Sequence, residues 1–522
     1  MALTEHFSIV FQSGFPQAVA LPFSLIKLFL LIGWVYLCLY CVHLVQFSRF
    51  IPDNRKPIAN IITLLTGPIL LMILIVIDTI KKASETDNSI FNIVKQCITG
   101  FLESASFTES KIKLLDTSGR NIKDIYGKGK ANKQSNYALE FTEQMIIEAL
   151  NERASDILID PKTEDTYTIR FRIDGVLSEI DQIETEISRM VINCIKAVSN
   201  MDIAEKRRRQ DGSFIARTPD TNASFRVATA GAHKGEKLII RVLNQNAGKF
   251  QLANIGLTEK QCKVLQIAVG KPNGMILLCG PTGSGKTTTL YAMLNKIDLF
   301  TRNVITVEDP IEYELENASQ IEVNPKADIT FANSLRSILR QDPDVICVGE
   351  IRDEETAAIA LRAAQTGHLV LATIHCNSTA SALIRLMDLG VSTLLLSSGI
   401  SLIVSQRLVR KLCKHCKVRA ELTNTQIHHF RKKSINYKGI CEAVGCQHCN
   451  ETGYYERTAI YDVLTLDDKL KAAVAQGKLS IAQLRKEGDQ RGKSNLQKQG
   501  LKKVVSGITS LEELTRVTGI TL

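Results

Sequence analysis

Residues 275–289, MILLCGPTGSGKTTT, constrain the fold more than any other part of the chain. Met275 to Cys279 form an apolar run of the length of a buried parallel strand. The run breaks into Gly280-Pro281-Thr282-Gly283-Ser284-Gly285, and Lys286, Thr287 and Thr288 then open a helical segment that continues LYAMLNKI. The pattern G-x-x-x-x-G-K-[ST] is met in the strand–loop–helix setting that its chemistry requires. The glycines let the backbone wrap phosphates, while amide N–H groups and a helix N-terminus supply fixed partial positive charge. Lys286 is placed to reach the β- and γ-phosphates, and the Thr287 hydroxyl to sit on Mg²⁺. Gly280 to Thr288 are therefore expected to hold a nucleoside triphosphate.

Around this loop, between about residues 252 and 408, apolar runs (MILLC, NVITV, DVICV, HLVLATI) alternate with helical stretches. That alternation is the signature of a parallel sheet with crossover helices. A phosphate loop needs metal and water partners on neighbouring strands, and two acidic sets stand at such strand ends. Glu308, Asp309 and Glu312 follow NVITV in VEDPIE, and Glu350, Arg352 and Asp353 follow DVICV. Carboxylates at the C-terminal ends of parallel strands face the crevice that receives the phosphates. One can order Mg²⁺ through its water shell while the other orients the attacking water. The competing reading is that Glu308 or Glu350 merely caps a helix. His368 and His375 bracket the strand GHLVLATIH. Roughly 23 Å of extended chain separates them, so they share no metal, and a sensor of nucleotide state is the role expected.

The chain has 13 cysteines, an odd number, and five of them fall between Cys413 and Cys449. That distribution fits a reducing compartment with one local metal site better than a secreted disulfide framework. Cys413-Lys-His-Cys416 and Cys446-Gln-His-Cys449 are two C-x-x-C knuckles, which together supply four thiolates to one tetrahedral Zn²⁺. Four sulfur ligands leave no open position, so the zinc is expected to pin a loop rather than to catalyse. The formal charge of +10 suits nucleotide, lipid headgroups or nucleic acid without choosing among them.

The front of the chain has another character. Residues 28–47 and 58–77 are apolar stretches of the length that spans a bilayer, about 20 residues each. The first is too long and too late for a signal peptide and lacks its small-residue cleavage site. Membrane attachment is the expectation, with a buried helical hairpin as the alternative. Two full spans would put both ends in the cytoplasm, but the loop between them carries Arg49, Arg55 and Lys56 against Asp53. The positive-inside rule opposes that arrangement, and Gly67-Pro68 offers a kinked or re-entrant second segment instead. Polar residues follow, with Gly127-Lys128-Gly129-Lys130 reading as linker. From Tyr137 a helical pattern (Leu139, Met145, Ile146, Ala149, Leu150) gives way to alternating strands, with Asp174-Gly175 as a hairpin turn.

Residues 138–466 resemble the secretion ATPases, most closely the general secretion pathway protein E and type IV pilus assembly ATPase branch. The resemblance is carried by GPTGSGKTTTLYAML, NVITVEDPIEYELE, LRSILRQDPDVICVGEIRDEETAAIALRAAQTGHLVLATIHCNS and GCQHCNETGYYERTAIYDVL, in that order. It implies an α/β architecture with a RecA-like P-loop motor at 249–522, including a zinc-binding insert at 413–449 and C-terminal helices. Before the motor would come an α+β, PAS-like N-terminal lobe at 137–248, a linker at 83–136, and two N-terminal hydrophobic helices within a membrane-anchoring region at 1–82. ATP, Mg²⁺ and Zn²⁺ are the implied cofactors. A homo-hexamer, an inner-membrane platform protein and membrane lipid are the implied partners, on the cytoplasmic side of a bacterial inner membrane. Lys286 and Thr287 match the Walker A pair, Glu308 the catalytic glutamate of the acidic box, Glu350 the Walker B glutamate, and His368 and His375 the histidine box. Arg226 and Arg241 match arginines that the family's N-terminal lobe places on the nucleotide. Ser213 follows Gln-Asp-Gly where the family commonly has arginine, and Leu158 stands where relatives usually carry histidine. The implied activity is ATP hydrolysis that powers type II secretion or type IV pilus-like assembly. A DNA uptake or conjugation motor ranks below it, because no aromatic-basic surface for nucleic acid stands out.

Overall fold

The computed structural model describes Trp34 and residues 112–122, 124, 133–218, 222–244, 250–432, 434–476 and 496–519. The two apolar segments, Trp34 apart, and most of the 83–136 linker lie outside the described residues. Among the described residues no helix is long and apolar enough to cross a membrane. Ile112–Leu522 forms one unit of contacts, distinct from Met1–Lys111.

The N-terminal lobe of this unit begins with a short strand, β1 (Lys113–Leu115), followed by helix α1 (Lys133–Asn151). The apolar spacing seen from Tyr137 onward buries Leu139, Met145, Ile146 and Ala149 on one face of α1. Strands β2 (Ala154–Pro161), β3 (Thr166–Ile173) and β4 (Val176–Glu184) come next, then helix α2 (Thr185–Val198). Strands β5 (Gln210–Arg217), β6 (Asn222–Ala232) and β7 (Gly235–Asn244) complete an antiparallel sheet in the order β1-β5-β6-β7-β2-β3-β4. The lobe therefore starts earlier than residue 137. Leu114 and Leu115 are buried and pair with Ala216 and Ile215 at the sheet edge, a strand too short to announce itself within polar sequence. Alternation sends Phe214 and Phe225 into the core, where their rings stack at 4.7 Å. The opposite face carries Ser213, Arg226, Arg241, Asp156 and Arg172 as consecutive cross-strand partners on five neighbouring strands.

The second lobe is built on strands β8 (Gly274–Cys279), β9 (Val304–Glu308), β10 (Ser319–Glu322), β11 (Val345–Val348), β12 (Leu369–Ile374), β13 (Ile400–Leu412) and β16 (Tyr454–Thr465). They order as β10-β9-β11-β12-β8-β13-β16, and every pairing is parallel except that of β16 with β13. A two-stranded piece, β14 (Val418–Arg419) and β15 (Cys441–Glu442), lies in the segment between them. Helices cover both faces: α3 (Glu259–Val269), α4 (Lys286–Leu294), α5 (Phe331–Ile338), α6 (Glu354–Gln365), α7 (Thr379–Asp388) and α8 (Thr393–Gly399). Met275, Leu277 and Cys279 of β8 enter one apolar core, and Ile276 and Leu278 enter the other. A strand sandwiched this way must be apolar throughout, which is why MILLC stands out in the sequence. The four strands expected from apolar runs are β8, β9, β11 and β12. The long ribbon β13/β16 was not expected, because Ser405, Gln406, Arg407 and Arg410 interrupt its apolar pattern.

Helices α9 (Asn424–Lys432), α10 (Asp468–Ala475), α11 (Leu496–Val505) and α12 (Leu511–Thr518) close the chain. Residues 481–488, expected to be helical, lie outside the described residues. In α12 the buried carboxylate of Glu513 accepts from Arg410 of β13 at 2.8 and 3.0 Å and from Arg516 at 2.7 Å. In α11, buried Gln499 accepts from the Tyr461 amide and donates to Gln261 of α3 at 2.8 Å. Gln261 donates to the Tyr461 carbonyl at 3.1 Å, and the Tyr461 hydroxyl meets Thr289 of α4 at 3.1 Å. The last helices are thus wired to the helix that follows the phosphate loop.

Candidate nucleotide and metal sites

The loop between β8 and α4 turns on two left-handed residues, Gly283 (φ 74°) and Gly285 (φ 86°). Only glycine adopts such angles without strain. Gly280 is also required for space, since a side chain there would stand 2.8 Å from the Gln406 carbonyl. Gln406 of β13 braces the loop by donating to the Ser284 carbonyl at 2.8 Å. No signal in the sequence pointed to Gln406. Pro281, Thr282 and Gly283 are exposed, whereas Ser284 and Lys286 are buried. The Lys286 ammonium donates to the Gly280 carbonyl at 2.9 Å and the Pro281 carbonyl at 3.2 Å. Burial lowers its pKa, and the Glu350 charge opposes that shift. The Ser284 hydroxyl is buried and has no partner within the protein. A loop with an orphaned hydroxyl, a lysine folded onto its own carbonyls and open space over Gly283 fits a phosphate chain with its Mg²⁺.

The acidic box places its two glutamates differently. Glu308 ends β9 inside the protein, 4% exposed. Its carboxylate accepts from Tyr291 at 2.6 Å, Thr306 at 2.7 Å and Gln320 at 3.1 Å. Alternation along β9 and the turn at Pro310 put the other glutamate of VEDPIE at the mouth. Glu312 is solvent-accessible yet hemmed in by protein, and that desolvation raises its carboxyl pKa. The neighbouring Thr287 side chain counters that rise, as do the charges of Arg241 and Arg226 from the N-terminal lobe. The sequence offered Glu312 within the acidic set; spacing alone did not separate it from Glu308.

The second set follows β11. Glu350 accepts from Arg352 at 2.8 Å and lies 3.1 Å from His375 Nε2, and Arg352 also reaches Asp309 at 3.1 Å. Burial, and then the Lys286 charge, hold the His375 pKa below its ordinary value, so the imidazole beside Glu350 is neutral at neutral pH. His368 sits at the opposite end of β12, where Nδ1 bonds the Ala363 carbonyl at 3.0 Å. It takes no part in the cluster around Lys286. Arg241 is held by Asp156 at 3.0 Å, and Asp156 also binds Arg172 at 3.2 Å. Ser213 faces Arg226 across β5 and β6, so the row is one cation shorter than the family pattern.

At the far end of the β13/β16 ribbon, Cys413, Cys416, Cys446 and Cys449 bring four sulfurs within 4.8 Å of one another. Three of the six separations are 3.7, 3.8 and 3.9 Å. Four sulfurs about 2.3 Å from a central ion in tetrahedral geometry stand about 3.8 Å apart, so the set fits Zn²⁺. Burial raises the Cys449 thiol, but N–H donors from Cys446 and Gly453, each at 3.2 Å, outweigh it and bring the pKa down to about 7. Such donors favour the thiolate that a metal needs. Cys441 lies outside the set, and the rings of His415 and His448 meet at 4.3 Å, tilted 55° to each other.

The sequence profile of the type II/IV secretion system proteins matches residues 131–516. The type II secretion system protein E of Aeromonas hydrophila is 43% identical over 376 residues, covering 72% of this chain and 74% of its own. The type II secretion system ATPase E of Vibrio cholerae is 42% identical over 380 residues, 73% of this chain and 75% of its own. Among solved structures, the ATPase DotB of Legionella pneumophila aligns with a TM-score of 0.53 at 21% identity, over 72% of this chain and 94% of that one. That likeness establishes the α/β ATPase fold. With the phosphate loop, the acidic sets and the tetracysteine cluster in family order, this chain belongs to the type II/IV secretion system protein family.

Proposed function

We propose that this chain is an ATP-hydrolysing assembly motor that powers type II secretion or the building of a type IV pilus-like filament. One feature supports the reading: Glu350 and Glu312 act on the Lys286 charge, and Arg241 and Arg226 of the other lobe act on that of Glu312. Relatives named type II secretion system protein E and ATPase E support it. In this reading the amides of residues 280–288 cradle the phosphates and Lys286 exchanges its loop carbonyls for the β- and γ-phosphates. Thr287 and, through a water shell, Glu350 would hold Mg²⁺, which would supply charge neutralisation at the phosphates. Glu312 orients the attacking water and accepts its proton, while Glu308 is the buried anchor that fixes the loop carrying Glu312. Arg226 and Arg241 offset the charge that develops on the transferred phosphoryl group, and Asp156 keeps Arg241 aimed. His375 reports the state of Glu350. The four cysteines hold a structural Zn²⁺.

The same proposal covers the wider organisation: a RecA-like motor at 249–522, a PAS-like lobe at 137–248, a linker, and an anchoring region at 1–82 with two hydrophobic helices. A homo-hexamer working on an inner-membrane platform protein from the cytoplasmic side, in contact with lipid, is the assembly that family membership and the two apolar segments favour. Lys286→Ala should abolish nucleotide binding, and Glu350→Gln should bind ATP but not turn it over. Phosphate release from the detergent-solubilised full chain is the measurement. Equal hydrolysis by wild type and Glu350→Gln would sink the assignment.

A further inference from the structure

We propose that the tetracysteine knuckles are a metal-set latch that clasps the N-terminal lobe to the motor through Tyr455. The proposal rests on the preceding reading of the cysteines as a zinc site and of the chain as an ATPase. Each knuckle carries one histidine between its cysteines, His415 in the first and His448 in the second. The two imidazoles meet at 4.3 Å, His448 stacks on Tyr455 at 4.6 Å with the rings 23° apart, and the Arg153 guanidinium lies 3.6 Å over the Tyr455 ring. His415 meets His448 at a 55° tilt, and from His448 the contacts pass through the Tyr455 ring to Arg153 of the N-terminal lobe. Arg153 is the second of the two residues between α1 and β2, so the contacts end where that strand of the lobe's sheet begins.

A second set of bonds flanks these contacts. Asp174, in the β3–β4 turn, accepts the Glu456 amide at 3.0 Å and lies 3.8 Å from the Arg457 guanidinium. Asn450, beside the second knuckle, bonds the Glu152 carboxylate. Four residues of this contact adopt left-handed backbone: Arg153 (φ 57°), Asp174 (φ 50°), Asn450 (φ 50°) and Glu456 (φ 62°). For Asp174 the hairpin turn with Gly175 itself calls for that conformation.

The stack depends on the metal because the two histidines are brought together only by their knuckles. Four thiolates packed this closely repel unless a cation lies among them. When the knuckles part, His448 loses His415, Tyr455 loses its backing, and Arg153 loses its platform. The consequence reaches the phosphates through β2, where Asp156, three residues beyond Arg153, orients Arg241. Arg153, Asp174 and Tyr455 are therefore positioning residues: they set where Arg226 and Arg241 stand relative to Glu312.

The test uses the full chain in detergent, with zinc content, hydrogen exchange and ATP turnover read on the same preparation. Tyr455→Leu should keep one zinc per chain but accelerate exchange in peptides covering 172–178 and 450–458 by about tenfold or more. Its kcat should fall about five- to tenfold with KM for ATP nearly unchanged, and Tyr455→Phe, which keeps the ring, should restore it. Stripping zinc from wild type should produce the same exchange pattern, and stripping it from Tyr455→Leu should add nothing. The latch is overturned if exchange at 172–178 is unmoved by zinc removal or by Tyr455→Leu, or if the purified chain holds no zinc. A wild-type chain that hydrolyses no ATP would defeat the motor assignment instead, and the exchange data would still decide the latch.

Discussion

Exchanging the two glutamates of VEDPIE for glutamine separates an anchor from a catalyst. Glu308→Gln keeps the shape of a buried side chain that accepts from Tyr291, Thr306 and Gln320. Hydrogen bonds to a charged acceptor contribute about 1.5–3 kcal/mol each and neutral ones about 0.5–1.5, so the two short hydroxyl bonds lose about 1 kcal/mol apiece. The new amide nitrogen faces donors, which costs about one more bond. Relief from desolvating a buried charge offsets part of this, leaving a net loss of about 1–3 kcal/mol. For a lobe of this size that is a fall in Tm of about 2–6 °C. Glu312→Gln is the reverse case. Its carboxyl pKa is raised in the folded chain, so ionisation at neutral pH opposes folding, and neutralising it should leave Tm unchanged or slightly higher. Losing the proton acceptor should cost about 10²- to 10³-fold in kcat. Thermal unfolding and phosphate release, measured on one detergent-solubilised preparation, give both numbers. Glu308→Gln that stops turnover without lowering Tm, beside Glu312→Gln that hydrolyses ATP like wild type, would refute the assignment of roles.

Elemental analysis of chain purified without chelator should return one zinc per chain, and Cys449→Ser should lose it together with several degrees of Tm; zinc-free wild type would remove the metal. Acid should weaken the packing of α12. Burial raises the Glu513 carboxyl, but Arg516 and Arg410 outweigh it and hold its pKa below the ordinary 4.5. A depressed carboxylate pKa adds stability above 4.5 that is lost as pH falls through the folded value. Melting curves followed from about pH 6 down through about pH 3 should therefore show a steeper decline for wild type than for Glu513→Gln, and parallel curves would contradict the pairing.

Much of the motor lobe was legible because a strand buried on both faces must be apolar throughout and a phosphate loop has few solutions. MILLC, NVITV, DVICV and HLVLATI met the first condition, and Gly280 to Thr288 the second. The β13/β16 ribbon was hidden because it serves two tasks at once. Its polar residues brace the phosphate loop through Gln406 and receive α12 through Arg410. β1 escaped notice because three residues carry no period. In the site, residue types were readable and directions were not. Glu308 and Glu312 are equivalent in a list of acidic residues, and only the path of the chain after β9 sends one inward and the other to Thr287. His368 and His375 likewise flank one strand, but the strand's polarity gives each a different end of the sheet.

The bond between Gln499 and the core of the motor has a consequence for synthesis. Tyr461 offers its amide to Gln499 and its hydroxyl to Thr289, so the helix behind the phosphate loop is backed by a residue that itself waits for α11. A chain emerging from the ribosome can build its N-terminal lobe and most of the parallel sheet early, since domains fold as units in the order they appear. The buried Tyr461 amide stays without its Gln499 acceptor until the last helices arrive. A ribosome stalled short of residue 499 would therefore carry a motor whose sheet is formed but whose nucleotide loop still lacks its backing.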